Sequence, residues 1–306
     1  MKVRSICRSR PLGLLTWLKP CFYVLIFPIH YSLFTGIAHA HLPMETEYAE
    51  TLARDSWEAR FHAGYMDMGS GENSWMTEQM YEINVGYGLM RNLSIYIEPT
   101  YKVREMEMPH GSMIHKESSS GIGDTDLLAR YRFRKKDRED GSCQQALLLG
   151  VKLPTGAWNL EENGTRLMDM VQPGTGSTDY RAGLALTHRK KNFTLDGDFI
   201  YTAKMENQEN YKFGDLLSYD MAGLYQIEGI YLIMELNGRL AAKDEMDGMK
   251  DNNTGGHQIF INPGVSYHIR PNVMLMLSAQ VPVYTDMNGD AQKTNYHAMG
   301  GVHWYY

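Results

Sequence analysis

The 306-residue chain has only three cysteines, and two of them, Cys7 and Cys21, lie in its first forty residues. Cys143 alone follows, which excludes an internal disulfide and a cysteine metal cluster in the remainder. Long apolar runs are missing as well: after residue 40 no stretch offers the roughly 18 apolar residues that a membrane helix needs. If that part enters a membrane it must do so as a barrel, because only helices and closed barrels satisfy the backbone's hydrogen bonds in lipid. Basic charge is scarce. Residues 1–40 hold five of the 30 basic residues and none of the 36 acidic ones, so the rest carries 25 − 36 = −11, which disfavours a nucleic-acid partner. Neither Gly-x-Ser-x-Gly nor His-Glu-x-x-His occurs. Ser119 and Ser120 near His110 and His115 keep an outer-membrane hydrolase only as a minor alternative, and the chain reads as a non-enzyme that requires no cofactor.

What is present begins with an export signal. Lys2, Arg4, Arg8, Arg10 and Lys19, with no acid among them, accompany an apolar stretch from Cys21 to Ala38 that ends in Ala38-His39-Ala40. This reads as a signal peptide over residues 1–40, with cleavage before His41. Residues 41–55 form a short polar lead-in that either stays in the periplasm or folds partly into the lumen.

From Ser56 onward, apolar and polar residues alternate in segments of roughly 12 to 15, bounded by Gly, Asn, Asp or Pro, the period of strands. Val273, Leu275, Leu277, Ala279, Val281 and Val283 share one face, opposite Met274, Met276, Ser278, Gln280 and Tyr284. Twelve such segments fall near 56–68, 75–89, 93–105, 121–134, 144–155, 178–188, 193–204, 215–227, 230–242, 256–269, 273–285 and 294–306. Short turns at Arg91-Asn92, 189–192, Glu228-Gly229 and 270–272, and a longer one at 135–142, alternate with long connections at 69–74, 106–120, 156–177, 205–214, 243–255 and 286–293. Short periplasmic turns alternating with longer external loops imply a twelve-stranded antiparallel up-and-down outer-membrane β-barrel over residues 56–306, both ends periplasmic, in a Gram-negative bacterium. Val302, Trp304 and Tyr306, on one face of the last segment, resemble the C-terminal signal read by the barrel assembly machinery. Lipid and lipopolysaccharide are the partners implied.

A soluble β-sandwich would have strands of about 5 or 6 residues. Here the segments are longer, and the polar faces carry acids and bases in numbers that suit a hydrated, mutually neutralising interior. Glu58, Arg60, Glu98, Asp124, Arg130, Asp196, Glu235 and Arg239 are therefore the expected pore-lining residues, and passive passage of small solutes is the expected function. Mixed signs argue against a strongly ion-selective ring.

Several segments then resemble a known family, the outer-membrane transporters grouped as "MetA-pathway of phenol degradation". They are Gly121 to Phe133 (GIGDTDLLARYRF), Leu149 to Gly156 (LGVKLPTG), Gln172 to Gly183 (QPGTGSTDYRAG), the Phe213-Gly214-Asp215 turn, and Gly256 to Tyr284, in the family's order. The resemblance implies an outer-membrane barrel with a transport role. The family name points to phenol, but an aromatic-hydrocarbon channel would be expected to show an apolar lumen or a plug, and this interior reads as polar.

Methionine is abundant, at 21 residues. Thirteen lie in or beside the expected external connections: Met66, Met68, Met76, Met80, Met106, Met108, Met113, Met168, Met170, Met205, Met246, Met249 and Met287. The densest group is Met106, Met108, His110, Met113 and His115. Thioethers are soft ligands that suit Cu(I) or Ag(I), with imidazole as a companion. The alternative function is therefore a surface barrel that captures or senses copper or silver. Flexible apolar filling over a barrel mouth is the plainer reading of any single pair. The acidic stretch 243–253 lacks the register and terminal Glu of an EF-hand and reads as a solvated turn.

Overall fold

The structure, a computed structural model, describes residues 43–70, 74–110 and 113–306. The signal peptide expected over residues 1–40 lies outside these residues. Twelve strands follow: β1 Trp57–Ser70, β2 Ser74–Met90, β3 Leu93–Glu98 continued by Thr100–His110, β4 Met113–Ile122 continued by Thr125–Arg138, β5 Gly141–Leu153 and β6 Asp179–Lys190. The second half holds β7 Phe193–Ala203, β8 Leu216–Ile227, β9 Ile230–Ala241, β10 Gly256–Arg270, β11 Val273–Met287 and β12 Lys293–Tyr305. Each strand is antiparallel to the next, and β1 pairs with β12 from Glu58↔Tyr305 to Gly69↔Lys293, which closes the barrel. No helix among the described residues is long and apolar enough to cross a membrane.

Two strands are interrupted for local reasons. Pro99 has no N–H to give the ladder, yet its carbonyl still accepts from Ile83 N at 3.1 Å. Opposite it, β4 breaks at Gly123-Asp124, where a Cβ on Gly123 would stand 2.3 Å from Thr100 Oγ1. Above these breaks β3 and β4 continue as one hairpin, paired from Tyr101↔Ile122 to His110↔Met113. The connection expected at 106–120 is thus corrected to strand. Alternation persists through Met106, Met108 and His110 even though the Met, His, Gly and Pro content reads as loop. The longer turn expected at 135–142 is likewise only Glu139-Asp140, because β4 runs to Arg138.

The faces are sorted inside out relative to a soluble fold. Leu184, Phe199 and Leu277 project outward at 56%, 53% and 62% exposure, whereas Arg130, Asn237 and Asn262 on the inner face are at 0%. Outward aromatics gather in two bands. Trp57, Tyr131, Phe193, Tyr225, Tyr267 and Trp304 lie near the tight turns and the C-terminus, and Tyr65, Tyr81, Tyr101, Tyr180, Tyr201 and Tyr284 lie toward the other end. An apolar band between aromatic girdles is the lipid-facing surface of an outer-membrane barrel. Leu184→Arg, in mid-strand on this face, should cost about 2–4 kcal/mol. Urea-dependent refolding into lipid vesicles would measure it.

The longer connections hold small secondary elements. Glu161–Glu162 pairs with Thr165–Arg166, and Tyr211–Lys212 joins Glu245–Met246 and Met249–Lys250 in a three-stranded patch. Asp247 and Gly248 have φ of 51° and 74°, the left-handed pair of a tight hairpin turn. The 243–253 stretch is therefore a hairpin. Asp244 ties the two connections together, accepting from Tyr211 Oη at 2.5 Å and Gly214 N at 2.7 Å. Burial raises its carboxyl above the ordinary range, and these hydrogen bonds partly offset the effect.

Candidate functional site

Inside the barrel lies the segment that follows the expected signal. Residues 43–52 are in the lumen rather than the periplasm. Extended backbone in a lumen must find partners for its N–H groups, and inward side chains supply them. Met44 N, Glu45 N and Thr46 N donate to the Glu235 carboxylate at 2.9, 3.2 and 2.8 Å, with Thr46 Oγ1 at 2.7 Å. Glu47 N donates to Asp198 at 2.7 Å, Ala49 N to Thr187 Oγ1 at 2.9 Å and Leu52 N to Ser94 Oγ at 2.8 Å. The segment leaves at the periplasmic end, where Thr51 Oγ1 donates to Arg91 O and Asp55 N to Gly88 O. A Cβ on Gly88 would stand 1.8 Å from Ala53 O, so a side chain there would block the entry.

The segment's three acids meet three different arginines of the wall. Glu45 pairs with Arg239 at 3.1 Å, Glu47 with Arg130 at 2.5 Å and Glu50 with Arg189 at 2.9 Å. Arg130 also donates to Tyr96 Oη at 2.9 Å and to Glu50 O at 3.2 Å, and its guanidinium lies 3.9 Å from the centre of the Tyr48 ring. Apolar contacts complete the seat. Tyr48 packs with Leu224, Ile233, Met274 and Met276, and Ala49 and Leu52 pack with Tyr96, Leu128, Leu148 and Ala185. The lumen thus holds a plug, and its contacts are mainly polar.

Near the extracellular end residues 154–178, between β5 and β6, fold back against the inner wall. Three of the resembling motifs converge here. Asp124 accepts from Gly156 N at 3.1 Å, Thr175 N at 2.9 Å and Thr175 Oγ1 at 2.7 Å. Lys152 bridges Asp124 at 3.0 Å and Asp179 at 2.8 Å, and Asp179 also meets Lys204 at 3.0 Å. Gly156 and Gly174 touch: a Cβ on Gly156 would stand 2.8 Å from Gly174 Cα. Further up, Arg104 donates to Met170 O at 2.9 Å and Gln172 O at 2.6 Å, and Ser119 Oγ donates to Val171 O.

The expected pore residues all lie on inner faces or at the Asp124 break, but in different surroundings. Glu235, Arg239 and Arg130 hold the plug; Asp124 holds the loop; Asp196 accepts from Thr187 at 2.5 Å. Glu58 meets His303 at 3.0 Å and Arg60 at 3.6 Å, while Glu98 bonds Asn84. None of the hydrogen bonds or ion pairs described for the segment reaches Arg60, His62, Glu82, Glu98 or Lys102. Arg60 Nε, His62 Nε2, Asp198 Oδ1 and Asn262 Oδ1 have no hydrogen-bond partner in the protein. Buried polar atoms of this kind call for water as a partner. Thr187, Asp198, Asp220 and Arg189 complete the polar wall; of these, Thr187 and Arg189 were not singled out from sequence.

Of the expected metal residues, Met106 is 4% exposed and faces inward, with Met108 next along the same face. His115 sits opposite Met108 and bonds Glu117 at 3.0 Å. His110 and Met113 pair through their backbones, and their side chains lie outside the described residues. Ser119 and Ser120 point to opposite faces, and neither bonds an imidazole among the described residues. Those residues contain no group of three or more His, Cys, Asp or Glu side chains fit to hold a metal. Val302, Trp304 and Tyr306 are on the outward face of the C-terminal segment.

A sequence profile of the family described as "MetA-pathway of phenol degradation" matches residues 65–295. The chain belongs to this family. This phenol-degradation-family barrel also has structural relatives. An outer-membrane channel from Pseudomonas putida F1 is 13% identical with a TM-score of 0.65, covering 87% of this chain and 100% of its own. The β domain of the Bordetella autotransporter BrkA is 10% identical with a TM-score of 0.46, covering 82% and 100%. At these identities the likeness is one of fold. No curated protein matches the family member's sequence.

Proposed function

We propose that the protein is a passive channel for small polar solutes across the outer membrane, narrowed by its own N-terminal segment. The observation that carries this reading is the inner wall. It combines acids and bases with buried polar atoms that have no protein partner, both beside the segment, at Asp198 and Asn262, and away from its bonds, at Arg60 and His62. Such a wall replaces the hydration of a polar solute and offers little to a hydrocarbon. A plug is one of the two features expected of an aromatic-hydrocarbon channel, but here its contacts are mainly polar, and the wall favours polar solutes despite the family's name. The Pseudomonas relative is itself described as a channel, which agrees with this reading. No energy coupling is required: the ion pairs that seat the segment exchange with water, and solutes pass beside it or when it withdraws.

Liposome swelling with a graded series of neutral sugars and amino acids tests the proposal. Vesicles containing the protein should swell fastest with the smallest polar solutes. Swelling no faster than in protein-free vesicles, for every solute, would reject the channel.

A further inference from the structure

A second feature of the mouth stands apart from the polar wall. Met68 on β1 lies directly opposite Met76 on β2, and Met76 directly opposite Met106 on β3. Side chains paired in this way have Cβ atoms about 4.5–5.5 Å apart, so three thioethers form one inward row. Met108 follows on the same face of β3, and the strapped loop brings Met168 and Met170 down onto the row. Three members are buried, Met76, Met106 and Val171, with Met68, Met108, Met168 and Met170 partly buried against them, and all but Val171 are methionine.

The composition is one-sided beside the rest of the barrel. The cluster around Tyr96 and Leu148 has no methionine, and the one around Leu224 mixes Met274, Met276 and Met44 with leucine, isoleucine, alanine and tyrosine. Aliphatic side chains of fixed rotamer are the usual filling of such space. The row also ends in charge. Met106 is opposite Glu117, which is 9% exposed; its Oε1 meets His115 Nε2 at 3.0 Å and its Oε2 accepts from Met168 N at 3.0 Å. One carboxylate beside a nest of thioethers balances one monovalent soft cation. Arg104, one row below, is already occupied by Glu78 at 2.5 Å and by the loop carbonyls, so it leaves that balance in place.

We propose that Met68, Met76, Met106 and Met108, with Met168 and Met170 of the loop, form a binding site for a monovalent soft metal ion, Cu(I) or Ag(I). Thioethers select such ions over the hard cations that dominate outside the cell. Glu117 supplies the compensating charge and, through Met168 N, the position of the loop sulfurs. The site differs from the sequence-level group at 106–115 in drawing its sulfurs from three strands and a distant loop. It is also independent of conduction, since metal could bind in a barrel that passes nothing.

The test uses the full mature protein with Cys143→Ser, which removes its free thiol, in detergent, titrated with Ag(I), and separately with Cu(I) against a chromogenic competitor. Metal-edge absorption spectroscopy reports the ligand atoms. The expected result is about one ion per chain in a sulfur-dominated shell, with affinity reduced at least about tenfold in Met76→Leu/Met106→Leu. Leucine matches methionine in volume and should leave the fold intact; an unchanged heat-modifiable gel shift verifies this. Met168→Leu/Met170→Leu, in the loop and outside the barrel wall, should weaken binding without any effect on folding. No stoichiometric binding by the Cys143→Ser parent, a shell without sulfur, or affinity within about twofold of that parent in both double variants would overturn the site.

Discussion

Replacing Lys152 by methionine should be among the most damaging single changes in the protein, at about 3–5 kcal/mol. Lys152 is 6% exposed and bridges Asp124 and Asp179, which are 7% and 0% exposed. Without the ammonium, two desolvated carboxylates face the same space, and removing one partner of a buried pair costs more than the pair contributes. Lys204 still meets Asp179, so the unpaired burden falls on Asp124. Asp124→Asn in the Lys152→Met background should therefore recover a substantial part of the loss, even though it weakens the caps on Gly156 and Thr175. Urea-dependent unfolding in lipid, followed by gel shift, gives both numbers. A Lys152→Met protein as stable as wild type would show that the cluster is solvated and not a latch.

The second large effect concerns the plug. Glu45, Glu47 and Glu50 changed together to glutamine should release it, because each loses one arginine partner while the segment's backbone bonds and the Tyr48 contact remain. The acids are partly exposed, so each pair is discounted to about 1 kcal/mol, and three together shift the seated-to-free equilibrium by roughly a hundredfold. A cysteine at Ala49, which is 0% exposed in the seated segment, reports this as faster labelling by a water-soluble thiol reagent. Cys143 changed to serine removes the other thiol of the mature chain. Equal labelling rates with and without the three glutamates would mean that the backbone bonds to Glu235, Asp198 and Thr187 hold the segment without help.

The strands were legible because alternation is a local signal. Each of the twelve segments has its own period-2 pattern and its own turn residues, such as Glu228-Gly229, with φ of 44° and 86°. The hairpin above Pro99 was misread because Met106, Met108, His110 and their neighbours have loop-like composition, although their alternation continues unbroken. The plug could not be read in the same way. Residues 43–52 have no periodicity, and their partners Glu235, Asp198 and Thr187 lie 138 to 191 positions away. The only sequence trace of their seat is complementarity: three acids in METEYAE against inward arginines, of which Arg130 and Arg239 were recognisable from strand parity. The methionine group was visible as composition, but its true membership depends on strand register and on a loop folded back over fifty residues.

The most direct measurement is single-channel conductance of the full mature protein beside a chain lacking residues 43–52. A narrowed polar channel predicts small, discrete current steps in the full chain and steps several-fold larger after the deletion, since the Arg130, Arg189 and Arg239 wall is then open to solution. No current in either form would contradict the channel. Identical steps in both would contradict the role of the N-terminal segment in setting its width.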